Sequence, residues 1–200
     1  MVSMASAFAG SYLIGSIPTG FLVVKWVKRI DVRSVGSGNV GATNVARVAG
    51  KEASAVVFLL DMVKGLLAVG LIAPWVLGVS TASERLACGL AAVVGHSFPV
   101  FLKFHGGKGV ATTIGVLLGA TPVAAGVFLL TWVVCVARWR YVSVGSMAAA
   151  ATIPIVQLAL HRPWPEQLLG VLFVILIVAR HRTNLERLRR GEEHRIGRRR

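Results

Sequence analysis

Acidic side chains are scarce in this chain of 200 residues, where Asp and Glu together number 8 against 22 Lys and Arg. Asp31 and Asp61 are the only aspartates, and Glu52, Glu84, Glu166, Glu186, Glu192 and Glu193 are scattered. With no carboxylate cluster the chain lacks the oxygen cage that holds divalent ions in metal-dependent phosphoalcohol transferases, and it calls for no metal and no cofactor. Cysteine is limited to Cys88 and Cys135, both inside apolar segments and without paired spacing. That placement makes them packing residues rather than a disulfide or a metal pair. No serine or cysteine has a base beside it, so a covalent intermediate is unsupported. A basic leader is missing too. Lys25, Lys28 and Arg29 follow the first apolar run, which is therefore expected to be a retained helix.

What the chain has in abundance is apolar sequence. An apolar fraction of 55% and a mean hydropathy of +0.71 place it in the membrane class. Spans are expected over about Met4–Val27, where Gly10, Gly15, Gly20 and Pro18 thin one face, and Ala53–Ala73, stopped by Pro74. Others follow over Glu84–Phe101, Val142–Leu160 and Gln167–Arg180. The stretch Val110–Ala137 fits either one long tilted helix or two shorter ones broken at Thr121-Pro122. Charge decides between them. With a turn at Thr121-Pro122, one side carries Lys25, Lys28, Arg29, Arg33, Arg47, Lys51, Lys103, Lys108, Arg138, Arg140 and every basic residue from Arg180 onward. The other side then carries only Arg85 and Arg162, with Lys64 in the membrane, which is the asymmetry of the positive-inside rule. The expected fold is thus an all-α integral membrane protein of seven transmembrane segments, the fourth short, with the N-terminus out and the C-terminus cytoplasmic. It forms one polytopic domain over residues 1–200. Trp26, Trp75, Trp139, Tyr141 and Trp164 fall near the resulting interfaces.

This topology brings three polar, glycine-containing stretches to the cytoplasmic face. The first, Ser37 to Arg47, reads SGNVGATNVAR and combines pliable backbone, hydroxyls, amides and a guanidinium, a set suited to an anion. Gly36, Gly38 and Gly41 also spell G-x-G-x-x-G, with Asp61 about twenty residues on, but no strand precedes them and Asp61 lies in an apolar span, so the dinucleotide reading fails on context. Asp61 and Lys64, three residues apart on a helix, are expected to form an intramembrane ion pair that either supports the site or only packs. The second stretch, GHSFPVFLKFHGGKGVATT, places Gly106, Gly107, Lys108 and Gly109 just before a helix, where free amides favour anions. It is no Walker loop, because Gly109 stands where a Ser or Thr would bind magnesium. The third begins at Arg180 and reads RHRTNLERLRRGEE. His96 and His105 are expected to be structural, and His161 and His194 incidental. An H-x-x-x-x-D acyltransferase pair is absent: His181 to Glu186 has the spacing with the wrong acid, and such a pair does not meet on a helix. The basic tail from Arg187 to Arg200 reads as a topology signal touching anionic lipid. No supporting fold argues for nucleic-acid binding.

SGNVGATNVAR, GHSFPVFLKFHGGKGVAT and HRTNLERLRRGEE, together with DMVKG in the second span, resemble the cytoplasmic motifs of the bacterial integral-membrane glycerol-3-phosphate acyltransferases that use acyl phosphate as donor. The resemblance runs in order over nearly the whole chain. It implies transfer of an acyl group to the sn-1 hydroxyl of glycerol 3-phosphate, giving lysophosphatidic acid and inorganic phosphate early in phospholipid synthesis. It also implies that Ser37, Arg47, Lys108, Ser146, His181 and Asn184 line the substrate site. Tyr141-Val142-Ser143 resembles a further family stretch, so either Ser143 or Ser146 faces substrate. The basic run Arg198–Arg200 departs from the pattern without touching a motif. Ser37, Arg47, Lys108 and His181 are the expected catalytic residues. Gly38, Asn39, Thr43, Asn44, Gly106, Gly107, Gly109, Ser143, Ser146 and Asn184 are expected to bind substrate. The expected partners are glycerol 3-phosphate, acyl phosphate and membrane lipid, with no nucleic acid and no obligatory protein partner, and the expected location is the bacterial cytoplasmic membrane. Arg47 and Lys108 can neutralise the phosphates, while His181 or a substrate phosphate serves as base. A phosphate-ester transporter would place such groups near the bilayer midplane. A lipid-binding scaffold would need only the basic face.

Overall fold

The structure, a computed structural model, describes residues 4–78 and 80–197. The Arg198–Arg200 run lies outside the described residues. Every regular element among them is helical, the solution a bilayer imposes on single segments that must satisfy their own backbone polar groups. The chain divides into two compact units, Met1–Ala120 and Thr121–Arg200.

In the first unit the leading apolar run forms α1 (Met4–Ser16) and α2 (Thr19–Lys28). They are separated at Ile17-Pro18, because a proline cannot donate to the helical ladder. α3 is Ala42–Leu67, with Gly50 at φ 93 and ψ 176 inside it. The Ser54 hydroxyl donates to the Ala42 carbonyl at 2.8 Å. A continuous helix would hold those residues about 18 Å apart, so the chain doubles back at Gly50. Residues 42–49 are a separate short helix, and the spanning part begins near residue 51, close to the expected Ala53. The other end differs from expectation, since Pro74 does not stop the helix. α3 passes through a π turn, Ala68–Ile72, into α4 (Ala73–Leu77), with Pro74 in the first turn of α4. A first-turn proline has no N–H to lose, and the wider turn before it leaves room for the ring.

α5 (Ala82–Ser97) starts on a capping box in which Thr81 and Glu84 satisfy each other's backbone amides. A 3-10 turn, Val100–Leu102, follows, and α6 is Val110–Ala120. α1 packs on α5, and α3 packs on α2 and α6. Glycine makes these crossings close. A Cβ on Gly15 would overlap the Ala92 carbonyl, one on Gly65 that of Thr112, and one on Gly115 that of Met62. Gly10, expected to share that role, makes only ordinary contact with Ile72.

The second unit holds α7 (Pro122–Trp139), α8 (Val142–Ala159), α9 (Trp164–Arg180) and α10 (Arg182–Arg189). α6 ends and α7 begins on either side of Thr121, as the charge argument requires, and Pro122 opens α7 where its missing N–H costs nothing. α8 packs on both α7 and α9. Arg162 donates to Glu166 at 2.8 Å in the first turn of α9, which starts earlier than the expected Gln167. Among the described residues five stretches are long and apolar enough to cross a membrane: Met4–Lys28, Ala42–Leu77, Ala82–Leu102, Pro122–Trp139 and Val142–Ala159. α9 and α10, bent by 58° at their junction, make a sixth only when taken together as one span, and α6 is shorter. Trp26, Trp75 and Trp164 are strongly exposed, as aromatic anchors at a lipid interface would be. Cys88 and Cys135 are free and buried, in keeping with packing roles.

Candidate active site

Ser37 to Arg47 is half loop and half helix, with residues 37–41 leading into the first turns of α3. Gly36 and Gly38 take left-handed φ values of 66 and 69, which only glycine adopts without strain. A side chain on Gly36 would also strike the Asn44 amide. Asn44, expected as a substrate contact, has that amide engaged on both sides of the loop. Its Oδ1 accepts from the Ser37 N–H at 2.8 Å, and its Nδ2 donates to the carbonyls of Val32 and Val35 at 3.3 and 3.1 Å. Asn39 Oδ1 accepts from the Gly41 N–H at 2.8 Å, closing the turn before the helix. Ser37, Thr43 and Arg47 are left exposed, the last two on one face four residues apart.

The second stretch is tighter. Gly106, Gly107 and Gly109 are buried and Lys108 is half-buried, directly before α6. Gly109 has φ 80. The Gly107 N–H donates to the His96 carbonyl at 3.0 Å. A Cβ on Gly106 would overlap that carbonyl, and one on Gly107 would overlap the His96 ring. His105 Nδ1 lies 2.6 Å from the Lys103 carbonyl, a local turn contact. The two stretches share one core, in which Val40 and Val45 of the first pack with Leu102 of the second and with Val24, Val32, Ala53 and Val57. The short helix 42–49, which carries Arg47 near its C-terminal end, and the loop of Lys108, which leads directly into α6, are thereby fixed on one unit.

Beneath them lies a buried polar cluster. Asp61 Oδ1 accepts from Lys64 Nζ at 2.8 Å and from Thr19 Oγ1 at 2.6 Å, and His96 Nδ1 lies 3.3 Å from it. Lys64 Nζ also donates to the Ile17 carbonyl at 3.2 Å. The expected Asp61–Lys64 pair is present, and Thr19 and His96, remote in sequence, complete it. The dinucleotide reading has no footing here, since no strand occurs among the described residues and Asp61 is spent on this cluster.

In the second unit the organising group is one that sequence reasoning passed over, Glu193. Its Oε1 accepts from Ser143 Oγ at 2.8 Å and from Asn184 Nδ2 at 2.6 Å, and its Oε2 from Arg187 Nε at 2.8 Å. Ser146 Oγ instead donates to the Val142 carbonyl at 2.8 Å and accepts from Trp132 Nε1 at 3.2 Å. His181, buried at the α9–α10 bend, has Nδ1 2.8 Å from the Ile177 carbonyl. A carbonyl can only accept, so Nδ1 carries a proton. The tail folds back. Arg195 Nε donates to Tyr141 Oη at 2.8 Å, and the Ile196 N–H donates to the Arg140 carbonyl at 2.8 Å. Part of the charge expected to face lipid is therefore committed within the unit. Among the described residues no group of three His, Cys, Asp or Glu side chains is placed to hold a metal ion.

Two cationic segments on one core and a buried ion pair in the same unit are parts found in enzymes that handle phosphorylated substrates, and the comparisons agree. The family model described as glycerol-3-phosphate acyltransferase matches residues 5–191. A glycerol-3-phosphate acyltransferase of Synechococcus elongatus is 45% identical, covering 100% of this chain and 97% of its own. One from Myxococcus xanthus is 47% identical over 92% of this chain and 95% of its own. A crystal structure of the integral membrane glycerol 3-phosphate acyltransferase PlsY in its glycerol 3-phosphate form is 40% identical, with a TM-score of 0.90 over 97% of this chain and 96% of that one. Its lysophosphatidic acid form gives 38% and 0.87 over 97% and 95%. With the family model matching residues 5–191 and the backbone superposing at a TM-score of 0.90, this chain belongs to the integral membrane glycerol-3-phosphate acyltransferase family.

Proposed function

We propose that the chain, as a single polytopic domain, transfers the acyl group of acyl phosphate to the sn-1 hydroxyl of glycerol 3-phosphate. The hydroxyl oxygen attacks the acyl carbonyl, the bond from that carbon to the phosphate oxygen breaks, and the products are lysophosphatidic acid and inorganic phosphate. The observation that carries this reading is that Arg47, near the end of the short helix 42–49, and Lys108, directly before α6, are carried by two segments anchored on one core. Both substrates are anions, so their approach needs positive charge and amide donors already in place. Relatives solved with glycerol 3-phosphate and with lysophosphatidic acid support the acceptor and the product.

Roles follow from chemistry residue by residue. Arg47 and Lys108 neutralise phosphate, with Ser37, Gly38, Asn39, Thr43 and the Gly106, Gly107 and Gly109 amides orienting it. Asn44 holds the loop that presents Ser37. His181 or a substrate phosphate takes the hydroxyl proton. Ser143, Ser146 and Asn184 are further substrate contacts. The chain has seven membrane segments, its N-terminus outside, and it works at the cytoplasmic face of a bacterial membrane, because that orientation keeps nearly all of its Lys and Arg inside.

Purified protein given glycerol 3-phosphate and acyl phosphate should form lysophosphatidic acid. Acyl-CoA and acyl-carrier-protein donors run in parallel should give none. Product from those donors alone overturns the donor assignment, and a folded, fully active Arg47→Ala or Lys108→Ala protein overturns the site.

A further inference from the structure

His96 is not among the residues assigned to substrate, yet it touches the Lys108 loop from two directions. Its carbonyl accepts the Gly107 N–H at 3.0 Å, and its ring lies against Gly107 so closely that a Cβ there would overlap it. The opposite edge of the ring faces Asp61, with Nδ1 3.3 Å from Oδ1. That same oxygen is held by Thr19 and Lys64. His96, Asp61 and Lys64 are each no more than 6% exposed.

An apolar side chain would fill the space without the desolvation cost of burying a carboxylate, an ammonium and an imidazole together. What the polar arrangement adds is direction. A ring hydrogen-bonded at Nδ1 to a fixed carboxylate has one orientation, and the backbone of Gly107 is built against it. Lys108 is the next residue. A tilt of the ring therefore moves the ammonium and weakens its hold on a substrate phosphate.

We propose that His96 is a positioning residue, which transmits the fixed geometry of the Asp61–Lys64 pair to the Gly106–Lys108 loop and so sets where Lys108 meets a substrate phosphate. This rests on the acyltransferase reading, so formation of lysophosphatidic acid by the unaltered protein is the internal control. If that control fails, the functional reading fails. If it succeeds, the variants judge His96 alone.

The experiment measures KM and kcat for glycerol 3-phosphate and thermal stability in the full-length protein. His96→Ala removes the ring, whereas His96→Asn keeps a donor near the Nδ1 position. His96→Ala should raise KM about tenfold, with kcat changed less than about threefold, and His96→Asn should recover most of the loss. Gly107→Ala alone should show the same KM defect, because its methyl displaces the ring. Combined with His96→Ala the methyl gains room, so the double variant should be no worse than His96→Ala by itself. A lowered melting temperature with unchanged KM is what a purely structural histidine gives, and it overturns the proposal. So does full additivity of Gly107→Ala and His96→Ala. Should His96→Ala fail to fold, His96→Asn with and without Gly107→Ala decides on the same criteria.

Discussion

Asn44 and Glu193 each hold several donors or acceptors in place around a loop, and each can be altered by a nearly isosteric change. In Asn44→Asp the Oδ1 acceptor for Ser37 survives, but an oxygen replaces the Nδ2 that donates to Val32 and Val35. Carboxylate facing carbonyl in a site only 1% exposed should cost about 3 kcal/mol, read as a drop in thermal stability with activity falling in step. An unshifted melting temperature would show that the loop does not depend on that amide. For Glu193, burial raises the carboxyl pKa, but hydrogen bonds from Asn184, Arg187 and Ser143 outweigh it and leave the group below the ordinary 4.5. A folded-state pKa below the unfolded one adds stability that is present above the unfolded value and is lost as pH falls through the folded value. Glu193→Gln should therefore be less stable than the parent at pH 7, by about 1–3 kcal/mol. The gap should close in acid below pH 4.5, where the parent alone loses this contribution. Parallel pH–melting curves for the two proteins would remove Glu193 from this role.

Helices were the most legible elements, because each long apolar run had to become one. Thr121-Pro122 was readable as a break through charge, and Asp61 with Lys64 as a pair through spacing. The π turn at Ala68–Ile72 was not, since nothing local distinguishes it, and Pro74 pointed to a stop that the wider turn removes. The doubling back at Gly50 was equally hidden in a run that reads as helix. Among site residues, Arg47 and Lys108 announced themselves by charge among glycines. His96 joins Asp61 only through folding, and Glu192 and Glu193 look alike until the turn at Gly191, with φ 70, aims one of them at Asn184. Glycine shows the same limit, because its role depends on a neighbour the sequence does not show. Gly115 of α6 lies on the Met62 carbonyl, whereas Gly126 of α7 has nothing within 4 Å of an added Cβ. Gly115→Ala should push α6 off α3, costing about 1–3 kcal/mol and reducing activity, because α6 carries the loop of Lys108. Gly126→Ala should be neutral or stabilising by up to about 1 kcal/mol. Equal melting temperatures for the two variants would refute the close crossing.

For the molecule as a whole, the distribution of its 22 Lys and Arg makes a claim that no single helix makes. Seven segments with the N-terminus outside leave Arg85 and Arg162 on the outer side, and Arg162 is there paired with Glu166. The reverse orientation would move Arg33, Arg47, Lys108 and the α10 arginines across the membrane, against the bias that governs insertion. Labelling can separate the two. Cys88 and Cys135 are buried and free, so replacing both by Ala gives a background for single cysteines at exposed positions. Pro163→Cys sits just before α9 and Arg190→Cys just after α10. On intact cells a membrane-impermeant maleimide should modify Pro163→Cys and leave Arg190→Cys untouched until the membrane is opened. The opposite pattern would invert the proposed topology. Labelling of both sites in intact cells, or of neither, would mean an even number of crossings between them, and α9 would no longer count as the last span.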